Sequence, residues 1–260
     1  MNEKELIKAC ENNISEEVKS LIEKGVDINL EYDYWTPLTK ASEKGHFNIV
    51  QYLVENGAEI DKENGYGWTP LMCASMNGFL DIVKYLVDKG ANFNAQDDCG
   101  WTALMWASKK RYLDIVEHLV DKGADIDIKN NDGDTALIVA SKENYLDIVE
   151  HLVDKGADIN IKNNRGWTAL MYVLKNNQER NNQTKEIIDF FIEHGGSIDF
   201  KKYNKKDSDE MLSLYRFIYG NISDIIRNNG GSLKEIKDLV DNGKNYNLNT
   251  FLPKEPPTDL

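Results

Sequence analysis

The sequence predicts an all-α solenoid of stacked helix-turn-helix units joined by short β-hairpin loops, with about six to seven units in tandem. Three observations predict it. Thr36, Thr69, Thr102, Thr135 and Thr168 recur at a fixed interval of 33 residues, each followed by Pro-Leu or Ala-Leu. Asp81-Ile82-Val83, Asp114-Ile115-Val116 and Asp147-Ile148-Val149 lead in the same register to Gly90-Ala91, Gly123-Ala124 and Gly156-Ala157. Between these markers, apolar residues fall at three- and four-residue spacing. A period of this length marks one supersecondary unit copied along the chain, and such a unit buries its apolar face only against its neighbours.

Residues 1–30 read as a capping copy with no preceding hairpin: Leu6 and Ala9 lie in its first helix, and a second helix from Glu16 to Lys24 ends at Gly25. Full copies begin at residues 31, 64, 97, 130 and 163. One copy shows the logic. Thr102 caps a short helix to Lys109, and Arg111-Tyr112 forms the turn where sister copies carry Gly45 and Gly78. Leu113, Ile115, Val116, Leu119 and Val120 then form one stripe of a second helix, with Asp114, Glu117, Asp121 and Lys122 facing water. Gly123 suits a left-handed terminator of that helix. Ala124 to Asp127 leaves extended, and Asn131-Asp132-Gly133 reads as a hairpin turn reaching towards the next Thr.

Later copies depart from the pattern. The sixth keeps Trp167-Thr168-Ala169-Leu170 and Gly195-Gly196, but the polar run Gln178 to Gln183 reads as an inserted loop between its helices. Residues 201–246 read as a degenerate C-terminal capping copy, with helices at Met211 to Tyr219 and Leu233 to Asn242. Residues 247–260, with Pro253, Pro256 and Pro257, read as an extended tail. The array of residues 1–200 is expected to form one elongated domain.

The motifs TPL or TAL, an Ala such as Ala41, Ala74, Ala107 or Ala140, then DIVxxLV and GADIN as in Gly156 to Asn160, resemble the ankyrin repeat. The likeness holds one register over five copies, and a single copy would be weak. It implies a preformed concave groove, lined by hairpin tips and first helices, that binds a protein partner. It implies no catalysis.

Composition points the same way. With 31 basic and 44 acidic residues the net charge is -13, which opposes nucleic acid phosphates and anionic membrane surfaces. No run approaches the roughly 18 apolar residues of a membrane span, and the start lacks a basic-then-apolar leader. A monomeric, cytoplasmic protein is expected, and delivery into a host cell is compatible with that. Cys10, Cys73 and Cys99 are odd in number and unmatched in spacing, so no disulfide frame or metal knuckle follows. His118 and His151 share one register in adjacent copies, which reads as duplication. The aspartates of the GADID segments read as loop-end hydrogen bonding and not as a calcium site. No cofactor or metal is expected.

What remains is surface. The residue before the repeated Thr is Trp35, Trp68, Trp101, Asp134 and Trp167, so four of the chain's five tryptophans share a register. Stacking would align them in an interrupted stripe, either as recognition anchors or as scaffold between hairpins. Positions that differ between copies discriminate better, since duplication alone leaves copies alike. At the tips these include Tyr32, Asp33, Tyr66, Asp98, Asp132 and Arg165. At first-helix ends they include Met76 and the basic trio Lys109, Lys110 and Arg111. Tyr66, Trp68, Met76 and Trp101 suggest an apolar centre in copies three and four. Tyr34 stands where other copies have Gly67, Gly100, Gly133 and Gly166, in a loop one residue shorter, so the first hairpin is expected to bend differently. The leading reading is a non-enzymatic protein-binding module. The alternative is a host-directed effector or adaptor whose segment 201–260 recruits a second factor.

Overall fold

The repeated threonines start helices because a side-chain oxygen there satisfies a backbone N–H that the first turn leaves without a partner. Thr36, Thr69 and Thr102 each accept a bond of this kind, from the backbone N–H of Thr39 (3.2 Å), Met72 (3.3 Å) and Met105 (3.3 Å). Thr39 returns the favour by accepting from the Thr36 N–H at 3.0 Å, closing a reciprocal cap. The computed structural model describes residues 2–176, 182–198 and 246–247. The chain divides into two compact units, Met1–Ala136 and Leu137–Leu260.

In the first unit helices alternate as the 33-residue period requires. They are α1 (Asn2–Glu11), α2 (Ser15–Glu23), α3 (Pro37–Lys44), α4 (Phe47–Glu55), α5 (Pro70–Asn77), α6 (Leu80–Asp88), α7 (Ala103–Lys110) and α8 (Leu113–Asp121). Helix α9 (Ala136–Lys142) begins at the junction. The second unit holds α10 (Leu146–Asp154), α11 (Ala169–Asn176) and α12 (Asn182–Glu193), with a two-residue antiparallel pairing of β1 (Ser197–Ile198) and β2 (Tyr246–Asn247). Five helix pairs, from α1–α2 to α9–α10, turn through a left-handed residue: Asn13, Gly45, Gly78, Arg111 and Asn144 have φ between 58 and 81°.

First helices α1, α3, α5 and α7 pack in series, and second helices α2, α4, α6 and α8 pack behind them in the same order. The stripe on α8 is buried as its spacing predicts: Ile115, Val116 and Leu119 are inaccessible, while Glu117, Asp121 and Lys122 are exposed. Ile82, Val83 and Leu86 repeat this on α6, and Leu38, Leu71 and Leu104 fill the first helices. Each such Leu or Ile stabilises the fold by roughly 1.5–3 kcal/mol. In the second unit Ile148, Val149 and Leu152 hold the same register, joined by Ile187 and Phe191 of α12.

The polar residues that close each copy bond to the next one. Asn29 Oδ1 accepts from the Glu59 N–H (2.8 Å), Asp61 Oδ1 from Asn92 (2.9 Å) and Asn94 Oδ1 from Asp125 (2.9 Å). Loop-end bonding is therefore what these Asp and Asn side chains do.

Regular strands do not form in the hairpins of the described residues. Two backbone bonds close each later loop, as Asn64 N–H to the Trp68 carbonyl and Gly67 N–H to the Asn64 carbonyl do, and among the described residues only Tyr32 and Trp35 make an isolated bridge. The inserted loop ends earlier than expected, because Asn182 and Gln183 already belong to α12. The degenerate copy expected at 201–246, except residue 246, and the tail, except residue 247, lie outside the described residues.

Candidate functional site

The loops between copies are held by a buried Asx residue that sequence reading passed over. Asn64 Oδ1 accepts from the N–H groups of Tyr66 (2.9 Å) and Trp68 (3.0 Å). Asp97 Oδ1 does the same for Cys99 (2.9 Å) and Trp101 (2.8 Å), and Asn130 Oδ1 for Asp132 (3.0 Å) and Asp134 (2.9 Å). In the second unit Asn163 binds Arg165 and Trp167 identically, both at 3.0 Å. These four stand 33 residues apart and are almost wholly buried.

The second atom of each Asx separates the copies. Asp97 Oδ2 accepts from Trp106 Nε1 at 3.2 Å, and Asn163 Nδ2 donates to the Tyr172 hydroxyl at 2.9 Å. Asn64 Nδ2 and Asn130 Nδ2 are buried without a partner. A carboxylate at 97 is explained directly: all three groups around it donate, and an amide nitrogen there would face the indole N–H.

The first hairpin is built otherwise. Tyr32 and Trp35 exchange backbone bonds of 3.0 and 3.1 Å, and the two residues between them, Asp33 and Tyr34, have φ of 52 and 68°. Positive φ at both central positions is the two-residue turn that normally takes Asn-Gly. The expected different bend is thus present, and it lifts the Tyr34 side chain to 56 % exposure.

Together these loops set a contiguous run of aromatic rings along the first unit. Tyr34 stacks on Tyr66 at 5.3 Å, Tyr66 meets Trp68 at 5.1 Å, and Trp35 approaches Tyr66 at 6.1 Å and Trp68 at 6.3 Å. Trp68 reaches Trp106 at 6.1 Å, and Trp106 reaches Trp101 at 4.7 Å. Trp106 is the link that sequence reading missed. Its register holds Lys40, Cys73, Val139 and Tyr172 in other copies, so no repetition flags it.

The expected site residues divide by exposure. Tyr32, Asp33, Tyr66, Asp98, Lys110, Arg111 and Asp132 are exposed in the first unit, as is Arg165 in the second. Trp35, Trp68, Met76, Trp101 and Lys109 are half-buried. Asp134 and Trp167 are buried, with only 2 % and 6 % of their surface accessible, so neither offers a face to a partner. Lys40 Nζ lies 3.5 Å over Trp35 and ion-pairs with Glu43 at 3.2 Å, and Lys109 Nζ lies 4.9 Å over Trp101. In the second unit Lys175 covers Trp167 in the same way at 5.2 Å. Among the described residues the large exposed aromatics are Tyr32, Tyr34 and Tyr66, so the accessible aromatic surface of the first unit centres on copies two and three.

Burial pushes the Cys10 thiol up to about 12 and raises that of Cys73 as well. Desolvation lowers the pKa of His118. His46 Nε2 lies 2.9 Å from the Glu11 carbonyl, at the end of α1. Among the described residues no cluster of His, Cys, Asp or Glu could hold a metal ion, and no helix is long and apolar enough to cross a membrane.

The family model of ankyrin repeats, described as three copies, matches residues 6–97, 57–130, 91–163 and 137–250, which together cover most of the chain. This chain is an ankyrin repeat protein. A segment of 56 residues, 22% of the chain, is 41% identical to an ankyrin repeat and KH domain-containing protein of Caenorhabditis briggsae. A segment of 47 residues, 18% of the chain, is 47% identical to an ankyrin repeat protein of Acanthamoeba polyphaga mimivirus. These matches span only 2% and 35% of those two relatives, so the likeness is to their repeats. Ankyrin repeats are in general protein–protein interaction modules without enzymatic activity, and they imply a protein partner.

Proposed function

We propose that this ankyrin protein binds a protein partner through the hairpin tips and first helices of its first unit, as an adaptor or inhibitor working as a cytoplasmic monomer. The observation that supports this reading is the aromatic run from Tyr34 to Trp101, with two tyrosines open at its end. Aromatic rings bring large contact area with few torsions to freeze, which is why they dominate binding energy in interfaces. Lys109, Lys110 and Arg111 add a basic edge to a chain whose net charge is -13.

The test is affinity capture with the intact chain, with Trp68→Ala plus Trp101→Ala, and with Tyr34→Ala plus Tyr66→Ala. A partner captured by the parent is expected to be lost from both variants while their helical circular dichroism persists. Equal capture by all three removes the aromatic run from the interface.

A further inference from the structure

Two tryptophans of the run already carry a cation of this chain on their faces: Lys40 lies 3.5 Å over Trp35 and Lys109 4.9 Å over Trp101. The Tyr34–Tyr66 stack carries none among the described residues, although its rings lie 5.3 Å apart at 27° and are the most exposed of the series. Carboxylates stand close to the backbone on either side of Tyr66 in the chain. Glu31 Oε1 lies 3.1 Å from where a Cβ on Gly65 would be, and Asp98 Oδ1 lies 2.8 Å from where a Cβ on Gly67 would be. Gly65 and Gly67 are the residues either side of Tyr66. Both carboxylates are exposed, and neither has an ion-pair partner among the described residues.

Resting on the reading above, we propose that Tyr34, Tyr66, Glu31 and Asp98 receive an arginine side chain from a basic segment of the partner. A guanidinium is flat and weakly hydrated, stacks on an aromatic face, and keeps N–H donors at its edge for carboxylates. An ammonium group offers one compact, strongly hydrated charge and covers less of a stacked pair. A proline-rich segment fits less well. Rings 5.3 Å apart leave no slot for a pyrrolidine between them, and proline would leave both carboxylates uncompensated. The net charge of -13 also favours the approach of a basic segment over an acidic or neutral one. One such contact corresponds to roughly fivefold to tenfold in affinity, enough to select among segments that share the rest of the surface.

The test titrates the isotope-labelled full chain, followed by NMR, with a capped Gly-Arg-Gly-Arg-Gly peptide, its citrulline counterpart and a Gly-Pro-Pro-Pro-Gly peptide. The arginine peptide is expected to shift the Gly65 and Gly67 amide signals saturably, with the citrulline peptide at least fivefold weaker. Glu31→Gln plus Asp98→Asn, both exposed and isosteric, is expected to remove the preference for arginine without moving the melting temperature. Equal response to arginine and citrulline, a stronger response to the proline peptide, or shifts confined to other residues each overturn the proposal. Capture separates it from the broader reading. A partner lost on Trp68→Ala plus Trp101→Ala but kept on Glu31→Gln plus Asp98→Asn leaves the interface standing and removes the arginine receptor.

Discussion

The first hairpin and the three that follow it in the first unit reverse the chain at the same place in the repeat by different turns. In the later ones a buried Asn64, Asp97 or Asn130 gathers two backbone N–H groups, and a glycine takes the left-handed position. The first has no such residue. Its backbone closes on itself between Tyr32 and Trp35, and side chains occupy both left-handed positions. A left-handed conformation costs a non-glycine residue about 1–2 kcal/mol. The later loops are therefore organised from inside for stability, and the first holds a strained tyrosine outward. Asn13, Arg111 and Asn144 take this conformation to turn a helix pair, whereas Tyr34 takes it in a loop that leaves its ring exposed.

The comparison breaks most visibly if the inner anchors are interchangeable with nothing. Asp97→Ala is expected to cost about 3 kcal/mol, because the Cys99 and Trp101 N–H groups and the Trp106 indole all lose their acceptor inside the fold. Asn64→Ala should cost only about 1 kcal/mol, since it also removes a buried Nδ2 that already lacks a partner. Urea unfolding reads both, and equal losses would show that the second Asx atom is irrelevant.

Gly100→Ala is next, at about 2 kcal/mol. The backbone there has φ of 78°, and a Cβ would stand 2.8 Å from the Asn131 backbone nitrogen. The smallest effect has the opposite sign. Asp33→Asn plus Tyr34→Gly installs the preferred pair at the first turn and is expected to stabilise the chain by about 1 kcal/mol, raising the melting temperature by about 2–4 °C. The same change should weaken the arginine peptide, so stability and binding would move apart. A fall in melting temperature would show that the Tyr34–Tyr66 stack outweighs the turn.

The fold was legible in the sequence because its punctuation is chemical. Threonine caps, left-handed glycines and a three-and-four apolar stripe each leave a residue type at a fixed place, and duplication repeats it. The surface was half legible. The Trp register was visible, but its rings join through Trp106, whose register repeats in no other copy. The anchors at 64, 97, 130 and 163 do repeat, yet in an Asn-rich chain they read as ordinary loop polarity. Exposure was the least legible property of all. Trp167 shares its register with Trp35, Trp68 and Trp101, and only packing against Tyr172 and Lys175 shows that it is closed off.

The bonds from Asn29 to Glu59, Asp61 to Asn92 and Asn94 to Asp125 take the acceptor from one copy and the donor from the next. Such a linkage has a direction. A cut at any of these three junctions leaves a vacant acceptor on the upstream piece and a vacant donor on the downstream one, so the two new ends are not alike. Copies could be shuffled or added within the series without loss of these links. The terminal copies could not trade places, and that asymmetry gives a tandem duplication a head and a tail before any partner is bound.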